Sequence, residues 1–294
     1  MRSLDPTRIA GIILALAFTL ALSACSAVKL GYNNLPHLAY WWLDGYVDFS
    51  DEQAPRVRDE IAALHAWHRQ QELPRVLDLL VRMEQLAPGE IAPPQACSIV
   101  GELQARLRAV GEQAEPGVIA LAATLTGREL RHMQRKFRRK NEEFQREWVA
   151  LPRAELHTKR YEKMLERLET IYGPLQEPQR ALLRQRLEQS VFDPGRSAAE
   201  WQRRQEDLLQ ILRRLAHPGR MQEAEARMLV RGWLARIEKA PDPAYRAYQE
   251  ALLQEGCTTF ALVHQSTSAA QREQAVRRLR AYQRDVRDLI AQQP

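Results

Sequence analysis

No catalytic signature is written into this 294-residue chain. HExxH, Gly-x-Ser-x-Gly, the P-loop and Gly-x-Gly-x-x-Gly are all absent, which removes the standard marks of zinc peptidases, α/β-hydrolases, P-loop NTPases and dinucleotide enzymes. Also missing is any run of alternating β-branched residues, so nothing reads as a strand. No strict repeat of about 20–50 residues recurs, which argues against a standard solenoid. Cysteine is scarce, at three residues. With 27% charged and 45% hydrophobic residues the composition is that of a globular chain rather than a disordered one. The net charge of +6 suits a surface that meets anionic headgroups or acidic polymers.

What is present begins at the N-terminus. Arg2 and Arg8 precede an apolar run from Ile9 to Leu22. That run is shorter than the roughly 20 residues a bilayer span needs, but it suits the core of an export signal. Leu22-Ser23-Ala24-Cys25 then resembles the lipobox of bacterial lipoproteins position by position. The resemblance implies cleavage after residue 24, acylation of Cys25 and tethering to a membrane. Ser26 in place of Asp resembles outer-membrane-directed lipoproteins, so the expected address is the periplasmic face of the outer membrane. An uncleaved anchor helix and a non-lipidated signal are the competing readings. With Cys25 given to lipid, Cys97 and Cys257 are left to form a disulfide, as an even pair in an exported protein does. Two separate buried thiols are the alternative.

From Ser50 onward apolar residues recur at helical spacing. The expected helices span about 51–72, 74–87, 94–113, 117–124, 127–150, 153–173, 176–190, 198–216, 220–239, 243–265 and 269–291. Breaks are expected at Pro88-Gly89, Pro116-Gly117, Pro194-Gly195 and Pro218-Gly219. Capping boxes are expected at Ser50…Gln53, Thr126…Glu129, Ser197…Glu200 and Ser268…Gln271. The fold class is therefore all-α, a multi-helix bundle or irregular helical array after a cleaved signal. The domain reading is 1–24 signal peptide, 25–49 lipid-anchored aromatic segment and 50–294 a single all-α domain.

The clearest helical stripe is Leu130, Met133, Phe137, Asn141, Phe144 and Trp148. It reads as a core seam with one buried polar residue, Asn141, whose expected role is to fix register. The same helix carries Arg131, Arg135, Lys136, Arg138, Arg139 and Lys140. A nucleic-acid partner is set aside because the address is exported and Glu142, Glu143 and Glu147 dilute the charge. Anionic lipid or an acidic polymer is the variant kept.

Residues 32–49 are dense in aromatics: Tyr32, Tyr40, Trp41, Trp42, Tyr46 and Phe49, with His37. Tyr40, Trp41, Trp42, Asp44, Tyr46, Asp48 and Phe49 are the candidate interaction residues. Three readings compete. The rings lie at the headgroup level beside the anchor, form a platform for a sugar or peptide with Asp44 and Asp48 accepting hydrogen bonds, or dock the segment onto the bundle. His65, His68 and Glu72 share one helix face, a weak metal constellation that lacks further ligands. No metal, cofactor or catalytic residue is assigned.

The blocks Cys25–Asn34, Tyr40-Trp41-Trp42-Leu43-Asp44, Asp48-Phe49, Trp67-His68-Arg69, Lys140-Asn141-Glu142, Tyr172-Gly173 and Glu255-Gly256-Cys257 resemble a family of uncharacterised Gram-negative lipoproteins. That resemblance implies an all-helical lipoprotein of unknown function and carries no catalytic residues to transfer. Leu125–Glu129 and Leu175–Gln179 each half-match the Leu-Thr-x-x-Gln motif of small helical periplasmic chaperones, at helix starts where capping predicts the same residues. The expected role is non-enzymatic binding or scaffolding in the envelope, through an envelope protein, peptidoglycan or anionic lipid. A chaperone-like binder of unfolded clients is the alternative. A cryptic hydrolase using Asp44, Asp48 or the histidine pair would require those side chains to converge.

Overall fold

The computed structural model describes residues 28–216 and 221–292. Cys25 and the apolar run before it lie outside the described residues, as does Pro218-Gly219. The described chain is helical throughout, without strands. Residues 28–33 are helical and lead into α1 (Leu35–Val47). There follow α2 (Ala54–Trp67), α3 (Leu73–Leu86), α4 (Pro93–Ala122), α5 (Gly127–Phe144) and α6 (Arg153–Tyr172). The rest are α7 (Glu177–Glu188), α8 (Pro194–Leu215), α9 (Glu223–Glu238), α10 (Pro243–Gln265) and α11 (Ala269–Ala291).

The 30-residue helix α4 is the spine, touching α2, α3, α8, α9 and α10. On one side, Val47, Ala122, Leu125, Leu130, Met133, Leu209, Leu212 and Val230 close a core between α1, α5, α8 and α9. On the other, Leu168, Tyr172, Leu183, Leu187, Val263 and Ala275 close a second between α6, α7, α10 and α11. Cys97 on α4 and Cys257 on α10 form a disulfide with Cα atoms 5.4 Å apart, closing 160 residues of chain. It fastens the spine to the second core, beside Ile91 and Ala96.

Three local expectations are corrected. Pro116-Gly117 does not end a helix. α4 runs through it because its flanks are held from outside: Glu115 is buried and accepts from Arg231 Nε at 2.6 Å, while Gly117 lets Glu60 of α2 approach where a Cβ would meet its Oε2 at 2.7 Å. Tertiary packing overrides the breaker. Likewise α2 and α3 do not separate before Pro74. A π-helical turn, His68–Glu72, joins them, with Leu73 N–H donating to the His68 carbonyl. The wider turn accommodates a proline that has no N–H to offer. Finally α8 starts at Pro194, capped by Asp193 accepting from Gly195 N and Arg196 N, so Ser197 is no cap. Glu200 instead receives Arg203 and Arg204 at 2.8 and 2.7 Å.

The other boxes form, and they do more than cap. Ser50 and Gln53 bond reciprocally, and Gln53 Nε2 then donates to the Thr124 carbonyl at 2.9 Å. Gln271 Oε1 accepts from Ser268 N, while its Nε2 donates to the Pro174 carbonyl at 3.0 Å and to Gln179 Oε1. Gln179 caps Gln176 N in the same way and returns a bond to Gln271 and to the Ser266 carbonyl, each at 2.8 Å. Two helix-to-helix turns are thereby sealed face to face. The first of them leaves α6 at Gly173, whose φ of 75° admits the reversal.

Gln271→Leu strips a cap, leaves the Pro174 carbonyl without its donor and removes both Gln179–Gln271 bonds, while Gln179 keeps the Ser266 carbonyl. It should destabilise the protein by about 2–4 kcal/mol. Gln179→Leu combined with Gln271→Leu should cost less than the sum of the two single changes, because both single changes remove the same Gln179–Gln271 bonds. Urea unfolding of the four proteins in the cycle checks both statements.

Candidate functional site

The α5 stripe does not end in a closed core. Its first half, Leu130 and Met133, is buried. From Phe137 onward the same face opens into a groove of about 590 Å³. α5 supplies Phe137, Asn141 and Phe144, and the π-helical turn Gln145–Val149 adds Trp148. α1 forms one wall with Trp42 and Tyr46, α8 another with Trp201, Gln205 and Leu208, and α9 contributes Trp233. Four of the chain's six tryptophans line this one groove.

The rings are arranged rather than scattered. Trp42 and Tyr46 lie 4.8 Å apart between centroids, and Tyr46 leans on Phe137 at 5.8 Å. Phe144 stacks with Trp148 at 6.1 Å and meets Trp201 edge-on at 5.6 Å. Lys159 Nζ sits 4.4 Å from the Trp148 ring, a cation–π contact that holds the indole from behind. Asn141 is half-buried rather than enclosed. Its Nδ2 donates to Gln205 Oε1 at 2.7 Å, and Gln205 Nε2 donates back to Asn141 Oδ1 at 3.1 Å. The two amides thus form a cross-helix pair, and that pair belongs to the groove wall. At the rim Lys140 pairs with Glu143 at 2.6 Å and holds that carboxyl below its usual range.

The aromatic N-terminal segment divides its residues among separate tasks. Tyr46 and Phe49 pack against the first core. Tyr40 lies under the Arg58 guanidinium at 4.1 Å and stacks near Phe49. Trp42 walls the groove, and Trp41 faces outward. Asp44 and Asp48 are structural. Asp44 Oδ1 accepts from Phe49 N at 3.1 Å. Asp48 ends α1 with φ 63° and accepts two bonds from Arg128 at 2.7 Å, one on Oδ2 and one on its carbonyl. Those bonds clamp α1 to the first turn of α5.

His65 and His68 lie elsewhere and hold Tyr32. His65 Nε2 donates to the Tyr32 carbonyl at 3.0 Å, and the Tyr32 hydroxyl donates to His68 Nδ1 at 2.9 Å. Burial pushes both imidazoles below the ordinary histidine value, and it pushes the Tyr32 phenol up. Glu72 is buried against Arg106 at 3.5 Å. Among the described residues no group of three His, Cys, Asp or Glu side chains is placed to hold a metal. His65 and His68 thus share Tyr32, Asp44 and Asp48 have partners of their own, and the four side chains that the hydrolase reading required to converge do not.

Trp201, Gln205, Leu208 and Trp233 are among the groove residues that sequence reasoning missed. The spacing Trp201, Gln205, Leu208, Leu212 on α8 mirrors the α5 stripe, polar residue included, and is the signal that pointed there. His264 was also missed. It is fully buried, with Nε2 donating to the Gly89 carbonyl and Nδ1 accepting from the Tyr172 hydroxyl, both at 2.8 Å. Burial lowers its pKa as well.

These three histidines set a pH dependence. Their folded values lie below the ordinary 6.5, so the unfolded chain binds protons first as pH falls. The stability they contribute is complete above that ordinary value and is lost as pH drops through it towards the folded values. The urea midpoint should fall between about pH 7.5 and about pH 5.5, and His65→Gln with His68→Gln should shrink that fall. An unchanged slope in the double variant would remove the Tyr32 clamp from this account.

The sequence pattern of a family of unknown function (DUF6279) matches residues 45–231. The match takes in α2 to α8, most of α9 and all of the groove except Trp42, Leu43 and Trp233. It is narrower than the resemblance running from Cys25 to Cys257. No curated protein and no solved structure matches the chain.

Proposed function

The chain belongs to the DUF6279 family of unknown function, and we propose that it is a non-enzymatic binding protein of the cell envelope. In this reading Cys25 is acylated, the protein is tethered at the periplasmic face of the outer membrane, and the aromatic groove is its binding site. The observation that carries the binding role is the groove itself. Its volume of about 590 Å³ lies within the range of about 300–1,000 Å³ typical of ligand sites, and its walls follow their pattern of apolar rings with a few placed polar groups.

Of the partner classes considered, a polypeptide fits best. The groove lies between helices and is lined by apolar rings, as grooves that accept the apolar face of an amphipathic helix are. The Asn141–Gln205 pair and the buried Trp233 indole N–H, which has no acceptor among the described residues, offer polar contacts within an apolar wall. The chaperone-like reading draws on the same concavity. The half-matched chaperone motifs lend it no support, because Thr126–Glu129 and Gln176–Gln179 serve as helix caps.

A photo-crosslinking residue placed at Leu208, in the full chain in intact cells, tests this. We expect one discrete polypeptide adduct, absent when the same residue is placed at the exposed Leu107. Trp201→Ala should reduce it by at least about tenfold, as removal of a binding hot spot does. A ladder of many clients would transfer the groove to the chaperone reading. Equal adducts at both positions would remove the groove from binding altogether. Release of the Cys25→Ala protein from the membrane fraction is the matching test of the tether.

A further inference from the structure

We propose that the outer face of α1 lies in the headgroup layer of the membrane that holds the chain. This rests on the reading of Cys25 as an acylated tether. Leu35, Leu38, Trp41 and Trp42 are 45, 54, 77 and 60% exposed. At about 100° per residue these four fall within one arc of about 120°. The other side of the helix carries Tyr40 and Val47 and is spent on α2 and α5. In the preceding turn Leu30 is likewise exposed. α1 is therefore apolar on both faces, one docked and one bare.

Three observations assign the bare face to lipid. The first is reach. Residues 28–33 are fixed to the domain: Lys29 pairs with Asp288 at 2.7 Å, Asn33 bonds Gln292 and Arg69, and Tyr32 sits between His65 and His68. Two residues, Ser26 and Ala27, separate Cys25 from Val28, a span of at most about 10 Å. A domain held so short cannot stand away from the bilayer, and α1 begins seven residues further on. The second is charge: from Val28 to Leu43 there is no Asp or Glu, so the segment itself brings no acidic side chain to the headgroups. The third is residue type. Leucines with two adjacent tryptophans are the composition favoured at a membrane–water interface, where an indole keeps its ring apolar and its N–H wet. Because Trp42 belongs both to this face and to the groove wall, the groove would open beside the membrane.

The test uses the full chain, purified from membranes and reconstituted into vesicles of phosphatidylethanolamine and phosphatidylglycerol. A nitroxide is attached at Leu38→Cys, and in a second sample at Glu273→Cys. Glu273 is exposed and lies about 28 Å along α11 from Gln292, where residues 28–33 dock. Collision with a water-soluble nickel chelate should be several-fold weaker at position 38 than at 273, and collision with oxygen stronger. Equal accessibility at the two positions would overturn the proposal. So would a label at 38 shielded from both colliders and broadened by a second label, which would assign the face to another copy of the chain. The mass of the Cys25 peptide from the same sample judges the tether separately. An unacylated Cys25 fails that reading, while the collision ratio still decides where α1 lies.

Discussion

An all-α chain with short turns must satisfy the N–H groups that every helix leaves unpaired at its start. Here several starts are buried against another turn, so water cannot serve them. The answer is a residue three places into the helix that caps with its oxygen and reaches across with its nitrogen. Gln53, Gln179 and Gln271 all work this way, and all are buried. Gln179 and Gln271 join the α6–α7 turn to the α10–α11 turn and so hold four helices with two side chains. Glu129 is the charged member of the set. It caps Thr126 N and accepts from Arg128, and Arg128 in turn grips Asp48. The start of α5 thereby fixes the end of α1. Since α5 and α1 form two walls of the groove, its shape descends from a helix cap.

That dependence explains what could be read from the sequence. A capping box is a local pattern of hydroxyl or amide spaced three residues from Gln or Glu, and three of the four expected boxes form. The fourth failed because Asp193, just before Pro194, is a better-placed cap than Ser197. The helical stripe of α5 was legible for the same local reason. Whether that stripe is core or groove was not, because the decision lies with residues far along the chain. Leu209 and Leu212 of α8 cover Leu130 and Met133, whereas Trp201 meets Phe144 edge-on as part of the groove lining. Pro116-Gly117 shows the converse. A strong local breaker lost to contacts from Glu60 and Arg231, which no window around residue 116 contains.

The histidines illustrate how one spacing supports two chemistries. His65, His68 and Glu72 at helical intervals present the donors a metal would want. The structure gives the same face to Tyr32, with an imidazole on the tyrosine's carbonyl and another on its hydroxyl. The sequence carries both halves of this arrangement, but nothing local states that residue 32 returns to residues 65 and 68. It returns because the Lys29–Asp288 and Asn33–Gln292 contacts draw the segment onto the end of α11.

The distribution of aromatic surface is the remaining physical argument. Folding alone favours burying tryptophan, the largest apolar payload available to a side chain. This chain buries none of its groove tryptophans fully and leaves Trp41, Trp42 and Trp201 more than half exposed. Contiguous apolar surface of that kind invites aggregation unless something covers it. The clamps beneath it show that it is not loose packing: Asp48 is held by Arg128, Asn141 by Gln205, and Trp148 by Lys159. A surface kept rigid while left apolar is the physical basis of the binding role proposed above. Because α1 contributes both the bare outer face and one wall of the groove, whatever covers that face also bears on the shape of the groove.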